Sequence, residues 1–188
     1  NDNVDVPTGE LIAGLSGTVS LVNEAPLRIN GAKVLSNISH QVYQTAAWDL
    51  LDMKRYRSVW MQAHGYFSLN MAASRGCSFR CSWCAKPIWG RRYALRSPAN
   101  VAEEMALVKR TLEPDHIWFA DDIFGLRSDW LGEFADRVAA SGGAVPFTIQ
   151  SRCDLMNPEA VDALARSGCR EVWLGAESGS QRVLDAMD

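Results

Sequence analysis

The spacing of apolar positions changes near Tyr66. Before it, residues 1–62 hold short apolar runs, such as 18–22, broken by Pro7, Gly9, Gly14, Gly17 and Pro26. That punctuation predicts a hairpin or wandering strands, then a short helix near residues 46–53. Such a stretch reads as a connector that buries no core of its own. From Tyr66 onward strand and helix patterns alternate. Residues 66–72 form a candidate strand. Ser97 and Pro98 open a helix, as N-cap and first helical residue, which runs to about Leu112 with Val101, Met105, Val108 and Leu112 on one face. Residues 116–120 are the next strand. Ser128 caps a second helix with Leu131, Phe134 and Val138 as its apolar face, stopped by Gly142 and Gly143. Residues 146–151 are a third strand. A third helix starts at Asn157 and Pro158, carries Val161 and Leu164, and ends at Gly168. Residues 171–175 are a fourth strand, and Ser180 caps a fourth helix.

Strand–helix alternation with short links predicts an α/β fold with a parallel sheet and right-handed crossovers. The later strands start at 116, 146 and 171, a regularity that suits a barrel of βα units. The longer gap between 66 and 116 leaves room for an inserted loop. A doubly wound sheet is the alternative, but neither a GxGxxG fingerprint nor a GxxxxGK phosphate loop occurs. The division expected is a connector over 1–62 and a partial barrel of about four βα units over 63–188. Four strands do not close a barrel and the last helix reaches Asp188 without a cap, so a fragment of a longer protein is expected.

Composition narrows the function classes. The chain has 188 residues, 47% hydrophobic and 22% charged, a globular balance rather than a disordered one. The longest uncharged stretch, 58–74, holds Gln62, His64 and Asn70 and is too polar for a membrane span. The opening Asn1-Asp2-Asn3 is not the basic start expected of a signal peptide, and without an initial Met the natural N-terminus is expected elsewhere. The net charge is −3, but its distribution is uneven: −4 over 1–52, +9 over 53–102 and −8 over 103–188. An acidic whole argues against sequence-independent nucleic-acid binding. The basic stretch calls for a local cause. The expectation is that Arg75, Arg80 and Lys86 lie at the mouth of a site with anionic ligands, while Arg91, Arg92 and Arg96 are partly salt-bridged.

The local chemistry is Cys77-Ser-Phe-Arg-Cys81-Ser-Trp-Cys84, three of the five cysteines within one C-x3-C-x2-C loop after the first strand. Three thiolates on one loop can hold three irons of a [4Fe–4S] cube and leave the fourth iron open. The loop sits at the C-terminal end of a strand, where barrels place their sites. A structural zinc site is the competing reading, though no second CxxC or HxxxH half-site exists. A ferredoxin-like electron carrier, with Cys153 or Cys169 as fourth ligand, is another. Otherwise Cys153 and Cys169 read as small buried hydrophobes.

The C-x3-C-x2-C spacing after the first strand, with the aromatic Trp83 before the third Cys, resembles the radical SAM superfamily. The resemblance implies a partial (βα)6-type barrel, a [4Fe–4S] cluster on Cys77, Cys81 and Cys84, and S-adenosylmethionine (SAM) held by its amino and carboxylate groups on the open iron. It also implies reductive cleavage of SAM to a 5′-deoxyadenosyl radical for radical chemistry, or use of SAM as a methyl donor. Asp121 and Asp122, ending the second strand, match the positions that hold the SAM amino group; a helix-capping or Mg²⁺-binding pair is the other reading. Gly175-Ala-Glu177-Ser178-Gly179-Ser180 resembles the family's G-x-E-S-G-S segment, with Glu177 and Ser178 beside SAM, or else forms a capping turn. It is no nucleophile elbow, because Ser178 stands fourth rather than third. Arg152, ending the third strand, pairs with the SAM carboxylate or with a structural carboxylate.

A wider set of segments covers residues from about 45 to the end. These are residues 47–56 (AWDLLDMKRY), 74–77 (SRGC), 89–93 (WGRRY) and 96–98 (RSP). They resemble the radical SAM enzymes that carry an N-terminal cobalamin-binding domain, among them methyltransferases and the anaerobic cyclase of chlorophyll synthesis. On that likeness residues 1–62 follow a cobalamin domain outside the chain, and no D-x-H-x-x-G cobalamin loop is present. The partners implied are a small-molecule substrate and an electron donor such as flavodoxin or ferredoxin, with no nucleic acid and no membrane. The location implied is cytoplasmic.

Overall fold

The computed structural model describes residues 46–84 and 93–187. The strands or hairpin expected before residue 46 lie outside the described residues, as do Lys86, Arg91, Arg92 and most of the Trp89–Tyr93 motif.

Four parallel strands carry the fold: β1 (Ser68–Met71), β4 (His116–Phe119), β5 (Phe147–Arg152) and β6 (Cys169–Gly175), in the order β1-β4-β5-β6. The order follows the chain without the reversal a doubly wound sheet requires. Register is set by pairs such as Asn70 with Trp118, Trp118 with Thr148 and Gln150 with Trp173. A separate antiparallel ladder, β2 (Ser74–Arg75) on β3 (Ala94–Leu95), closes the base of the loop that carries the cysteines. The helices are α1 (Met53–His64), α2 (Pro98–Leu112), α3 (Ser128–Ser141), α4 (Pro158–Ser167) and α5 (Gln181–Met187).

Helix boundaries follow local chemistry. Ser97 accepts the Asn100 N–H and Asn157 accepts the Ala160 N–H, each just before a proline, as expected. Gly142 and Gly168 end α3 and α4 in the left-handed conformation. Three expectations need correction. Residues 46–53 do not form the α-helix: Trp48–Leu50 is a single 3₁₀ turn, and Asp52 caps α1 through the Arg55 N–H, so the helix begins where it was expected to end. Ser128 is helical, and Arg127 holds the cap position without a side-chain bond. Val161 is exposed, since α4 turns Ala160, Ala163 and Leu164 inward instead.

Strand side chains alternate between faces. Met71, Ile117, Phe119, Phe147 and Ile149 point to the helices and are essentially buried with Val101, Met105, Leu131, Phe134 and Val138. α3 packs between α2 and α4 over this layer. Phe119 lies edge-to-face with Phe147 at 5.2 Å and with Phe134 at 6.3 Å, and burying each such ring contributes about 1.5–3 kcal/mol. A smaller cluster of Phe67, Leu69 and Val108 receives Trp48, Met53 and Trp60, so α1 is attached to the sheet through its own apolar face.

The opposite face is polar. Ser68 Oγ lies 2.9 Å from His116 Nδ1, His116 Nε2 lies 2.8 Å from Thr148 Oγ1, and Thr148 Oγ1 lies 3.3 Å from Glu171 Oε2. These four side chains cross all four strands in one hydrogen-bonded row. Nearer the C-terminal strand ends, Trp118 and Trp173 meet edge-to-face at 5.0 Å.

Candidate functional site

The site is built at the C-terminal ends of the strands, starting from β1. The chain leaves Met71, turns at Ala72 and Ala73, and enters the short β2. Asp121 fixes this turn from below. It is 3% exposed and accepts the Ala73 N–H at 3.0 Å, together with the Ser74 N–H and hydroxyl. Burial pushes its carboxyl up to about 6, against the pull of those hydrogen bonds and of Arg96. This geometry departs from the expectation of a ligand-facing Asp121, because its oxygens are taken by the chain's own donors. Asp122 is the exposed partner. It accepts the N–H of Gly76, and partial desolvation by its neighbours is the main cause of its raised pKa. Gly76 has φ +79, a conformation glycine adopts without a Cβ clash, and it turns the chain directly into Cys77.

The three cysteines follow. Cys77 and Cys81 are half-buried, Cys84 is exposed, and none is in a disulfide. The Cys84 N–H reaches the Cys81 carbonyl at 3.3 Å, making a turn of the C-x2-C half. Ser82 donates its N–H to the Met187 carbonyl at 2.9 Å and its hydroxyl to the same carbonyl at 2.9 Å, docking the loop on the end of α5. Trp83 is 52% exposed. Among the described residues no three His, Cys, Asp or Glu side chains are gathered around one metal position. The donor set itself suits an iron–sulfur cluster: three free soft thiols, with no carboxylate within the loop.

The other strand ends surround this loop. Arg152 Nε and Nη2 each donate to Asp154, at 2.9 Å, and Arg152 Cζ stands 4.0 Å above the Phe79 ring centroid. Its guanidinium is thus engaged with Asp154, the ion-pair arrangement that was the alternative to a SAM contact. Glu177 sits at the apex of a three-residue turn closed by Ser178 N–H to the Ala176 carbonyl at 2.6 Å, with φ +50, a conformation few non-glycine residues adopt. The Ser178 hydroxyl accepts the Ser180 N–H at 3.1 Å. Gly175 admits the Glu177 carboxylate close to its own Cα, where a Cβ would stand 2.9 Å from Oε1. Cys153 is exposed and Cys169 half-buried, so the expectation that both are buried fails for Cys153, which lies in an exposed 3₁₀ turn after β5. Burial pushes the Cys169 thiol up to about 11.

Arg96 is salt-bridged as expected, while its partner Glu104 was missed. Arg96 is 7% exposed and pairs with the buried Glu104 at 2.6 Å while donating to the Ala72 carbonyl at 2.7 Å. Glu104 also accepts the Ala46 N–H and the Trp48 indole N–H, tying residues 46–48 to the root of the loop. A signal existed: Glu104 is the charged residue in the apolar stripe between Val101 and Val108. Arg96 is therefore structural. Arg80 is exposed within the cysteine loop. The Tyr93 hydroxyl is buried beside Ser74, and burial is the main cause that pushes its phenol up to about 12. A cavity of about 270 Å³ lies at the C-terminal end of β1, lined by Trp48, Asn70, Ser74, Arg75, Arg96 and Ala120. No helix among the described residues is long and apolar enough to cross a membrane.

Comparison with known proteins matches the model of the radical SAM superfamily to residues 71–188. An uncharacterized methyltransferase of Pyrococcus horikoshii is 30% identical over 140 residues, 74% of this chain and 29% of the relative. The anaerobic magnesium-protoporphyrin IX monomethyl ester cyclase of Rubrivivax gelatinosus is 27% identical over 146 residues, 77% of this chain and 26% of the cyclase. Among solved structures, the radical S-adenosylmethionine methyltransferase TsrM of Kitasatospora setae, with cobalamin and a [4Fe–4S] cluster bound, shares the fold with a TM-score of 0.58 at 23% identity, over 70% of this chain and 25% of TsrM. The chain thus spans between a quarter and three-tenths of the length of these relatives. The parallel βα units, the cysteine loop at their C-terminal end and the match over 71–188 together lead to one assignment: this chain belongs to the radical SAM superfamily.

Proposed function

We propose that Cys77, Cys81 and Cys84 hold a [4Fe–4S] cluster whose open iron binds SAM, in an enzyme that performs cobalamin-associated radical chemistry, with methyl transfer as the reaction. The observation that carries the reading is the position of the C-x3-C-x2-C loop, rooted on the β2–β3 ladder at the C-terminal end of a four-stranded parallel sheet. A bound cluster supplies the electron that cleaves the sulfonium bond of SAM. The chain's part is to position and to exclude. Asp121 and Gly76 set where Cys77 leaves the sheet, and Asp122 anchors the N–H just before it. The strained Glu177 turn presents a carboxylate from the far strand of the same sheet, and Trp83 stands exposed before the third cysteine. Glu177 and Ser178 are the candidates to contact SAM, because their side chains occur on an exposed turn rather than in the core. Methyl transfer and cobalamin are favoured by the relatives, which include methyltransferases and a cobalamin-bound structure. A small-molecule substrate and a flavodoxin- or ferredoxin-type donor complete the proposal.

The test is turnover of SAM. Anaerobically reconstituted protein, reduced with dithionite, is expected to release 5′-deoxyadenosine or S-adenosylhomocysteine. Replacing Cys77, Cys81 or Cys84 by Ala abolishes both products together with the bound iron. Product formation that survives all three substitutions contradicts the assignment.

A further inference from the structure

We infer that Arg152 is a positioning residue for the cysteine loop: held by Asp154, its guanidinium clamps Phe79 and fixes a positive charge against the spacer between Cys77 and Cys81. The two-point pair with Asp154, 2.9 Å on each arm, leaves the guanidinium plane in one orientation. In that orientation its carbon lies 4.0 Å over the ring of Phe79, the middle residue of the spacer between Cys77 and Cys81. A planar guanidinium can do both at once, whereas an ammonium cannot stack and bridge together. Arg152 ends β5, one of the two central strands, so the clamp ties the loop to the rigid part of the sheet rather than to another loop. The contact with Phe79 sets this charge against the spacer between Cys77 and Cys81. The same charge, beside a cluster on these thiolates, favours the more negative reduced state.

The electrostatic arm of this inference rests on the cluster reading above, while the mechanical arm does not. Two measurements separate them. In the cluster-free chain, hydrogen exchange at the Ser82 and Cys84 amides is expected to be about fivefold faster in Arg152→Gln and in Phe79→Leu than in wild type, the loss of one cation–π contact. In the reconstituted protein Arg152→Gln keeps its iron but shifts the cluster potential to more negative values. Arg152→Lys holds the potential near wild type, and Phe79→Leu moves it less than Arg152→Gln does. Exchange unchanged in both Arg152→Gln and Phe79→Leu overturns the clamp. A potential unchanged in Arg152→Gln overturns the charge effect. If wild type takes up no cluster, the cluster reading fails, and the exchange data still decide the clamp.

Discussion

Asp121 is buried and His116 half-buried, and their protonation moves stability in opposite directions. The Asp121 carboxyl, pushed up to about 6, binds its proton more tightly in the folded chain than in the unfolded one. Its contribution is therefore largest near pH 4 and declines as the pH rises to about 6. Asp121→Asn lacks that titration and leaves one of three donors without an acceptor, a cost of about 1–3 kcal/mol. Urea unfolding of wild type and Asp121→Asn should show the wild-type advantage shrinking as pH rises from 4 to 6.5. His116 behaves the other way. With Nε2–H donating to Thr148 and Nδ1 accepting from Ser68, the neutral ring satisfies the whole row, and burial lowers its pKa. The stability it contributes is present above its unfolded pKa and is lost as pH falls through the lower folded value. A ring-proton NMR titration should give a midpoint below that of free histidine. The cysteines were legible because three identical rare residues in eight positions leave few alternatives. Asp121 was not, because sequence gives its place at a strand end but not whether it points inward or outward.

Between elements, the buried pair of Arg96 and Glu104 joins β1, α2 and the Trp48 turn at the loop's root. Glu104→Gln should remove about 3–5 kcal/mol in urea unfolding, since it leaves Arg96 charged and buried without its partner. Replacing both with apolar residues, Arg96→Met with Glu104→Leu, should recover much of that loss. A loss equal to the sum of the single variants would show that the two side chains do not act as a pair. The starts of α2 and α4 were legible because a capping side chain and a proline mark each, and the ends of α3 and α4 because Gly142 and Gly168 stop them. The start of α1 was not, because Asp52 caps it where Trp48 and Met53 pack with Phe67, Leu69 and Val108, contacts that no local pattern shows.

At the scale of the whole molecule, β1 and β6 are the edges of the parallel sheet among the described residues, and β6 exposes Trp173 and Leu174. An apolar edge of this kind pairs with other chains. The 188-residue chain should self-associate in a concentration-dependent way in sedimentation velocity, and Trp173→Lys should reduce the association. A monodisperse, cooperatively melting monomer would contradict it. The parallel order was legible from strand spacing, because chain order and short links leave little choice of topology. The way the strand ends converge was not, since Phe79 and Arg152 meet across 73 residues of sequence with no pattern linking them. The central claim, a site-differentiated cluster on Cys77, Cys81 and Cys84 that binds SAM, is tested most directly by electron paramagnetic resonance of the reduced reconstituted protein with and without SAM. The account predicts a [4Fe–4S]⁺ signal that changes on adding SAM and persists in Cys153→Ala and Cys169→Ala. A signal indifferent to SAM, and lost when Cys153 or Cys169 is replaced, would contradict it and identify an electron carrier with four protein ligands.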